Sequence, residues 1–298
     1  MNRFLLFILL SFSFGISSAQ EWMTNLEVAE RLALTQNKLL VVVWEDAYNK
    51  GIPIYVNDSV GQEVLVDNMF EEPVIDSLLW DRFVPVILSE DNYSKLYEKI
   101  KNKKSESYIE KFNDDSLKVL DANGNILNIY DTKFVLNLQE FIRNYSLDMT
   151  FLNSSLENYK RNPDFYSTIF LSAKYMDFAF FTKSNIRPEF VGLASIYLDE
   201  AIQLLDVESL ENKAVLKQRI DLLKAQEDLL LQHPKKVLRK LHRIKTLEIT
   251  NVNTGLRSFL YLASYTLLQD EPNGAIWEEQ VSSWDKKKLI SMINNGLN

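Results

Sequence analysis

Cysteine is absent from this chain of 298 residues, and histidine occurs only at His233 and His242. Without a sulfur nucleophile, thiol–disulfide exchange and thiolate catalysis are excluded. A structural zinc site takes about four nitrogen or sulfur ligands, so two histidines cannot build one of the usual kind. A nucleophile–histidine–acid triad would have to use one of the same two residues. His242 lies among basic residues and His233 stands before Pro234, positions that read as surface histidines. No Gly-x-Ser-x-Gly elbow, P-loop or dinucleotide glycine pattern occurs. No cofactor is therefore expected. What remains is oxygen chemistry. The acidic pairs Glu45–Asp46 and Asp114–Asp115 carry the hard ligands that calcium or magnesium takes, and carboxylates held together can share a proton for acid–base work. Left apart, they are solvated loop carboxylates. Asp121-Ala122-Asn123-Gly124-Asn125 begins like a calcium loop, but the position six beyond Gly124 is Tyr130, where such a loop needs glutamate. A hairpin turn accounts for it.

One charged cluster runs against the grain of the chain. Lys235, Lys236, Arg239, Lys240 and Arg243 fall on one predicted helix of a protein with net charge −8 and pI near 5.0. Such a patch suits an acidic partner or lipid headgroups, and a solvated helix face explains it equally. The overall acidity disfavours nucleic acid, whose phosphates need a basic surface. A protein or peptide partner is the expectation; the oligomeric state is open.

The elements that must position these residues fall into three stretches. At the N-terminus Arg3 precedes the apolar run Phe4 to Leu10, and Ser17, Ser18 and Ala19 precede Gln20. This is the pattern of a signal peptide over 1–19, cleaved after Ala19, with the mature protein periplasmic or secreted from a bacterium. An uncleaved anchor is the other reading; no later apolar stretch approaches spanning length. Residues 20–146 then alternate. Thr24-Asn25-Leu26-Glu27 is spaced as a capping box, opening a helix to about Gln36. Leu39 to Trp44 is a continuous apolar run, read as a strand buried on both faces. A loop-like stretch from Glu45 to about Asn68 follows, with Ile52 to Val56 as an edge segment limited by Pro53. Val74, Leu78 and Leu79 mark one helical face, Phe83 to Leu88 a second strand, and Tyr93 to Ile100 a helix. Lys101 to Lys104 reads as a solvated charged break. Leu117 to Leu120 and Ile126 to Tyr130 form a hairpin across Asn123-Gly124, and Phe134, Leu138 and Phe141 a closing helix.

From 147 to 298 strand signals stop. Pro163 and Pro188 open helices, and apolar stripes predict further helices around Leu216, Leu238 and Leu256 and a last one holding Trp277, Val281 and Trp284. The phenylalanines Phe165, Phe170, Phe178, Phe180 and Phe181 can fill a core between stacked helices or line a peptide groove.

The helix and strand Asn37 to Trp44, the stretch Glu71 to Leu88, and the hairpin Leu117 to Leu127 together resemble an exported bacterial thioredoxin-like domain, over about Trp22 to Tyr145. The resemblance implies an α/β domain with a central mixed sheet flanked by helices. It also implies that Trp44-Glu45-Asp46-Ala47-Tyr48-Asn49 stands where the family carries Trp-Cys-x-x-Cys-Lys, so Glu45 and Tyr48 occupy the cysteine places. No proline stands in Phe112 to Ser116, where the family has its cis-proline. The oxidoreductase activity therefore does not carry over. The same resemblance would bring Glu45 and Asp46 towards Asp114 and Asp115. The second half is similar to tetratricopeptide-type helical hairpins without the diagnostic residues of that repeat. The expected fold is thus a redox-inactive thioredoxin-like α/β domain followed by an all-α helical-hairpin domain. The function read from it is a non-enzymatic cell-envelope binding or scaffold protein. A metal-assisted hydrolase using the four carboxylates, and a chaperone-like assembly factor for exported proteins, are the alternatives.

Overall fold

The computed structural model describes residues 21–129, 135–244 and 251–296. The signal-peptide reading, together with Tyr130 and Phe134, lies outside them.

The chain begins with α1 (Leu26–Gln36), capped by Asn25, whose side chain accepts the Val28 amide. The cap is thus one residue later than the Thr24 box predicted. Asn37, at φ 54°, ends α1 in the left-handed conformation that asparagine tolerates. β1 (Leu40–Trp44) is buried along its whole length, as its unbroken apolar run requires. It leads directly into a short helix α2 (Glu45–Lys50). The expected loop after it is instead a second sheet: β2 (Ile54–Asn57) and β3 (Glu63–Val66) pair as a hairpin, and β7 (Leu136–Asn137) joins β2 in parallel. The residues between Glu45 and Asn68 were hard to read because β3 is largely exposed and breaks the alternation expected of a half-buried strand.

Next come α3 (Pro73–Arg82), β4 (Val84–Leu88), α4 (Glu90–Ile100) and α5 (Glu106–Asn113). On α3 the buried residues are Ile75 and Leu79, whereas Val74 points to solvent. The helix α5 was not foreseen; Ser105 caps it by accepting the Tyr108 amide. β5 (Lys118–Leu120) and β6 (Ile126–Ile129) form the hairpin. The main sheet has the order β4-β1-β5-β6. β1 runs parallel to β4 and antiparallel to β5, with Leu40 opposite both Val84 and Leu120. Met23 adds a parallel bridge outside β4 at Val86.

After α6 (Leu138–Tyr145) the described residues are helical: α7 (Asn153–Arg161), α8 (Phe165–Ala179), α9 (Arg187–Val207), α10 (Lys213–Leu230), α11 (Pro234–Arg243), α12 (Asn251–Leu267), α13 (Glu271–Glu278) and α14 (Ser283–Asn294). Asp164 caps α8 through a reciprocal box with Ser167, so Pro163 stands just outside the helix. The single last helix predicted around Trp277 is two, because Ser282 caps a fresh start at α14. Neighbouring helices pack in succession, α8 against α9, α10 against α11 and α12 against α13. The chain is therefore an α/β region with two small sheets, followed by an all-helical region. Phe165 and Phe180 are fully buried, and of the five phenylalanines only Phe170 is largely exposed. The core reading holds for most of that group.

One hairpin fastens the two regions. Asp121, at the turn between β5 and β6, has no solvent exposure. Its carboxylate accepts the Asn123 and Asn125 amides at 2.9 Å each, the Tyr175 hydroxyl at 3.0 Å, and the Tyr197 hydroxyl. Tyr175 comes from α8 and Tyr197 from α9, and their rings stack at 5.6 Å. The Tyr197 oxygen in turn accepts the side-chain amides of Asn125 at 3.0 Å and Asn123 at 3.3 Å. A phenol has one donor and two acceptor sites, and here all three are used. The turn reading of these residues was correct as far as it went. Gly124 holds φ 78°, and a Cβ placed there would meet Glu30 Oε1 at 2.7 Å. Around this plug, Lys160 of α7 pairs with Glu30 of α1 at 2.7 Å, and Asn153 donates to the Leu34 carbonyl at 2.8 Å.

Removing the Tyr197 hydroxyl withdraws one donor from a buried carboxylate and the acceptor from two amides. Tyr197→Phe is expected to lower unfolding free energy by about 1–3 kcal/mol, while Tyr166→Phe, on an exposed ring, stays within about 0.5 kcal/mol of wild type. Urea unfolding of both variants decides it; equal midpoints would show that the plug does not hold the regions together.

Candidate functional site

The residues singled out from sequence occupy three places. Trp44, at the end of β1, is buried against Tyr93 and Phe112, with ring centroids at 5.0 and 5.3 Å, and donates its indole N–H to the Asp114 carbonyl at 3.2 Å. Tyr48 packs on Phe70 at 4.5 Å and reaches Trp22 at 6.1 Å. Glu45 and Asp46 are exposed in the first turn of α2, where negative charge complements the helix dipole. Asp114 accepts the Ser116 amide at 2.8 Å, and Asp115 faces solvent. Among the described residues no group of three or more histidine, aspartate or glutamate side chains is close enough to share a metal ion. Beside Trp44 the ammonium of Lys118 is buried, lies 5.3 Å from the indole ring and donates to the Asp114 and Ser116 carbonyls. Burial pushes this amine down to about 8, against the pull of Asp114 and Asp115.

The basic cluster lies on α11 as predicted. Two of its members are committed: Lys236 and Lys240 pair with Asp228 of α10 at 2.8 and 2.6 Å. Lys235, Arg239 and Arg243 are exposed at a spacing of four, and no ion pair among the described residues engages them.

A feature that combines concavity with fixed charge lies elsewhere, in a cleft of about 510 Å³ between the α4–α5 connection and α9. One wall is Lys103, Lys104, Ser105 and Tyr108. The other is a face of α9: Asp199, Glu200 and Gln203 with the apolar Ile196, Leu204 and Val207. Tyr159 of α7 closes one side. Lys104 was read as part of a solvated break. Instead it is half-buried, donates to Asn125 Oδ1 at 3.0 Å, and lies 5.5 Å from the Tyr108 ring. Burial lowers its pKa from the ordinary lysine value, while Glu200, Asp121 and Asp199 oppose that shift. Glu200 accepts the Tyr159 hydroxyl on both oxygens, at 2.9 and 3.0 Å. Burial and that carboxylate raise the Tyr159 phenol well above its usual range. Tyr159 meets Tyr197 edge-to-face at 5.1 Å, so the cleft wall rests on the Asp121 plug.

Sequence reasoning passed over this cleft because its walls lie far apart in the chain and each is ordinary alone. The signal it carried was tyrosine on apolar helical stripes: Tyr197 sits in such a stripe, and a buried phenol needs a partner.

The seam holds a second half-buried carboxylate. Glu189, in the first turn of α9, accepts from Tyr145 of α6 at 2.6 Å and from Asn128 of β6 at 2.9 Å. Burial raises its pKa from 4.5 to about 7, with the Tyr145 hydrogen bond and Lys111 acting the other way.

The chain matches no protein-family model, and no curated protein or solved structure is significantly similar to it.

Because the folded pKa of Glu189 lies above its unfolded value, the native state holds the extra proton between pH 4.5 and about 7. Stability is therefore expected to fall as pH rises through that window. Glu189→Gln should make the melting temperature flatter across the same range. Thermal melts at a series of pH values test this; an unchanged slope in the variant overturns the assignment.

Proposed function

We propose that this protein is a non-enzymatic binding or scaffold protein of the cell envelope, exported by the segment before Gln20 and built on a thioredoxin-like frame. Sheet order supports the frame: β4 parallel to β1, then β5 and β6 antiparallel, with a helix starting directly after β1. At the positions the resemblance assigns to redox chemistry, Trp44 and Tyr48 are packing groups and Glu45 favours its helix N-terminus. Such positions serve the fold and leave binding to another surface.

The observation that carries the reading is the cleft between the α/β region and α9, large enough for a small ligand or a peptide segment, with its walls held by one hydrogen-bonded joint. A rigid concave site loses little entropy on binding. Val207, 78% exposed on its rim, contributes apolar surface without supporting the core.

The test is a quantitative pull-down from envelope extract with the full chain and with Val207→Arg, after circular dichroism shows equal folding. A partner retained by wild type and reduced about tenfold or more by the variant is the expected result. A wild-type chain that retains nothing reproducibly, or a partner held equally by both, overturns binding at this cleft.

A further inference from the structure

Resting on the binding role of the cleft, we propose that its ligand is a zwitterion of peptide type, with a carboxylate seated at Lys104, an amine at Glu200, and an apolar side chain along Ile196, Leu204 and Val207. The reason is the fate of the two charges. Lys104 and Glu200 share the cleft and influence each other electrostatically, yet they form no ion pair with each other. Each is anchored by a neutral group. Lys104 gives a hydrogen to Asn125 Oδ1, and an ammonium has three to give. Glu200 takes the Tyr159 hydroxyl on both oxygens, and a carboxylate accepts about four hydrogen bonds in all. Both groups therefore retain unused capacity towards the cleft.

The anchors are themselves fixed. Asn125 and Tyr159 both contact Tyr197, the first through a hydrogen bond of 3.0 Å and the second ring to ring at 5.1 Å. The two charges are thus held apart by one buried residue, and side-chain collapse into a direct salt bridge would break bonds on both sides. A ligand carrying one charge alone would satisfy one wall and leave the other half-desolvated. A ligand carrying both satisfies the pair, and charge-assisted hydrogen bonds at each end set its direction. Asp199 and Lys103 stand outside the two anchors and add the same signs to the same walls. Along α9 the half-buried Ile196 and Leu204 and the exposed Val207 offer an apolar strip for a side chain, with Gln203 beside them.

Calorimetric titration of the full chain with the dipeptide Leu-Leu, its N-acetyl form, its C-terminal amide and the doubly blocked form tests this. Free Leu-Leu is expected to bind, and each single block to weaken it about tenfold. Lys104→Gln should remove the penalty of amidation and keep that of acetylation; Glu200→Gln should do the reverse. Circular dichroism of both variants checks that the fold is kept. Equal affinity for free and doubly blocked dipeptide overturns the zwitterion assignment while leaving the cleft a binding site. No binding by any of the four overturns the zwitterion assignment, and the pull-down with Val207→Arg then judges the cleft independently.

Discussion

A carboxylate taken out of water must find donors, because the desolvation cost of an unpaired buried charge is several kcal/mol even after relaxation. Asp121 is placed under that constraint by its own hairpin. The turn supplies two amides, from Asn123 and Asn125, and two donors are too few for a group with no solvent exposure. The helical region supplies the rest as two phenols, from Tyr175 and Tyr197. Burial still raises the pKa of Asp121, with all four hydrogen bonds pulling the other way. The consequence is mutual dependence. Separating the hairpin from α8 and α9 would leave a carboxylate short of donors and, beside it, two phenols and two side-chain amides without their partner. Apolar packing alone would hold the regions together but would tolerate sliding. The directional bonds to one turn fix which residues of α9 face the α4–α5 connection, and so create the cleft.

How much of this was legible in sequence follows from the range of the interactions involved. The strand at Leu40–Trp44 was readable because a run of five buried residues has one physical explanation, and the helices α9 and α12 because their apolar stripes repeat without interruption. The second sheet was readable only in part: the segment Ile52 to Val56 overlaps β2, which lies between β3 and β7 and not at an edge. Its strands are short, β3 is exposed, and β7 joins from far along the chain, so its formation depends on a pairing that no local pattern records. Capping was readable only approximately: Thr24 and Asn25 are both good N-caps, and it is Asn25 whose side chain accepts the Val28 amide. Lys104 shows the sharpest limit. A lysine in a run of charges looks solvated from either side, and its partner Asn125 lies across a hairpin that had to form first.

The end of the sheet around Trp44 is built as core. Trp44 is an aromatic anchor among Tyr93 and Phe112, and its N–H is satisfied by a backbone carbonyl. Lys118 then occupies the space beneath, with its stem among apolar side chains and its ammonium turned to two carbonyls and an indole face. Tyr48 is drawn into a separate cluster with Phe70 and Trp22, and Trp22 is locked by Asp76 at 2.6 Å. The indole N–H groups of Trp44 and Trp22 and the Lys118 ammonium each face a protein partner, whereas the buried Ser116 hydroxyl has none among the described residues. Glu45, Asp46 and Asp115 remain open to water, and water screens charges in that position strongly.

The cleft presents a different arrangement. Beside Trp44 the buried ammonium of Lys118 is solvated by two backbone carbonyls. At the cleft an ammonium and a carboxylate of opposite sign are each restrained by a neutral group and kept from each other. Direct pairing of partly exposed charges would gain little, about 0–1 kcal/mol, so stability alone gives no strong reason to pair them and none to hold them apart. The same tyrosine that satisfies Asp121 also contacts Asn125 and Tyr159, the groups that anchor Lys104 and Glu200, so the bond that joins the two regions also sets the position of both cleft walls.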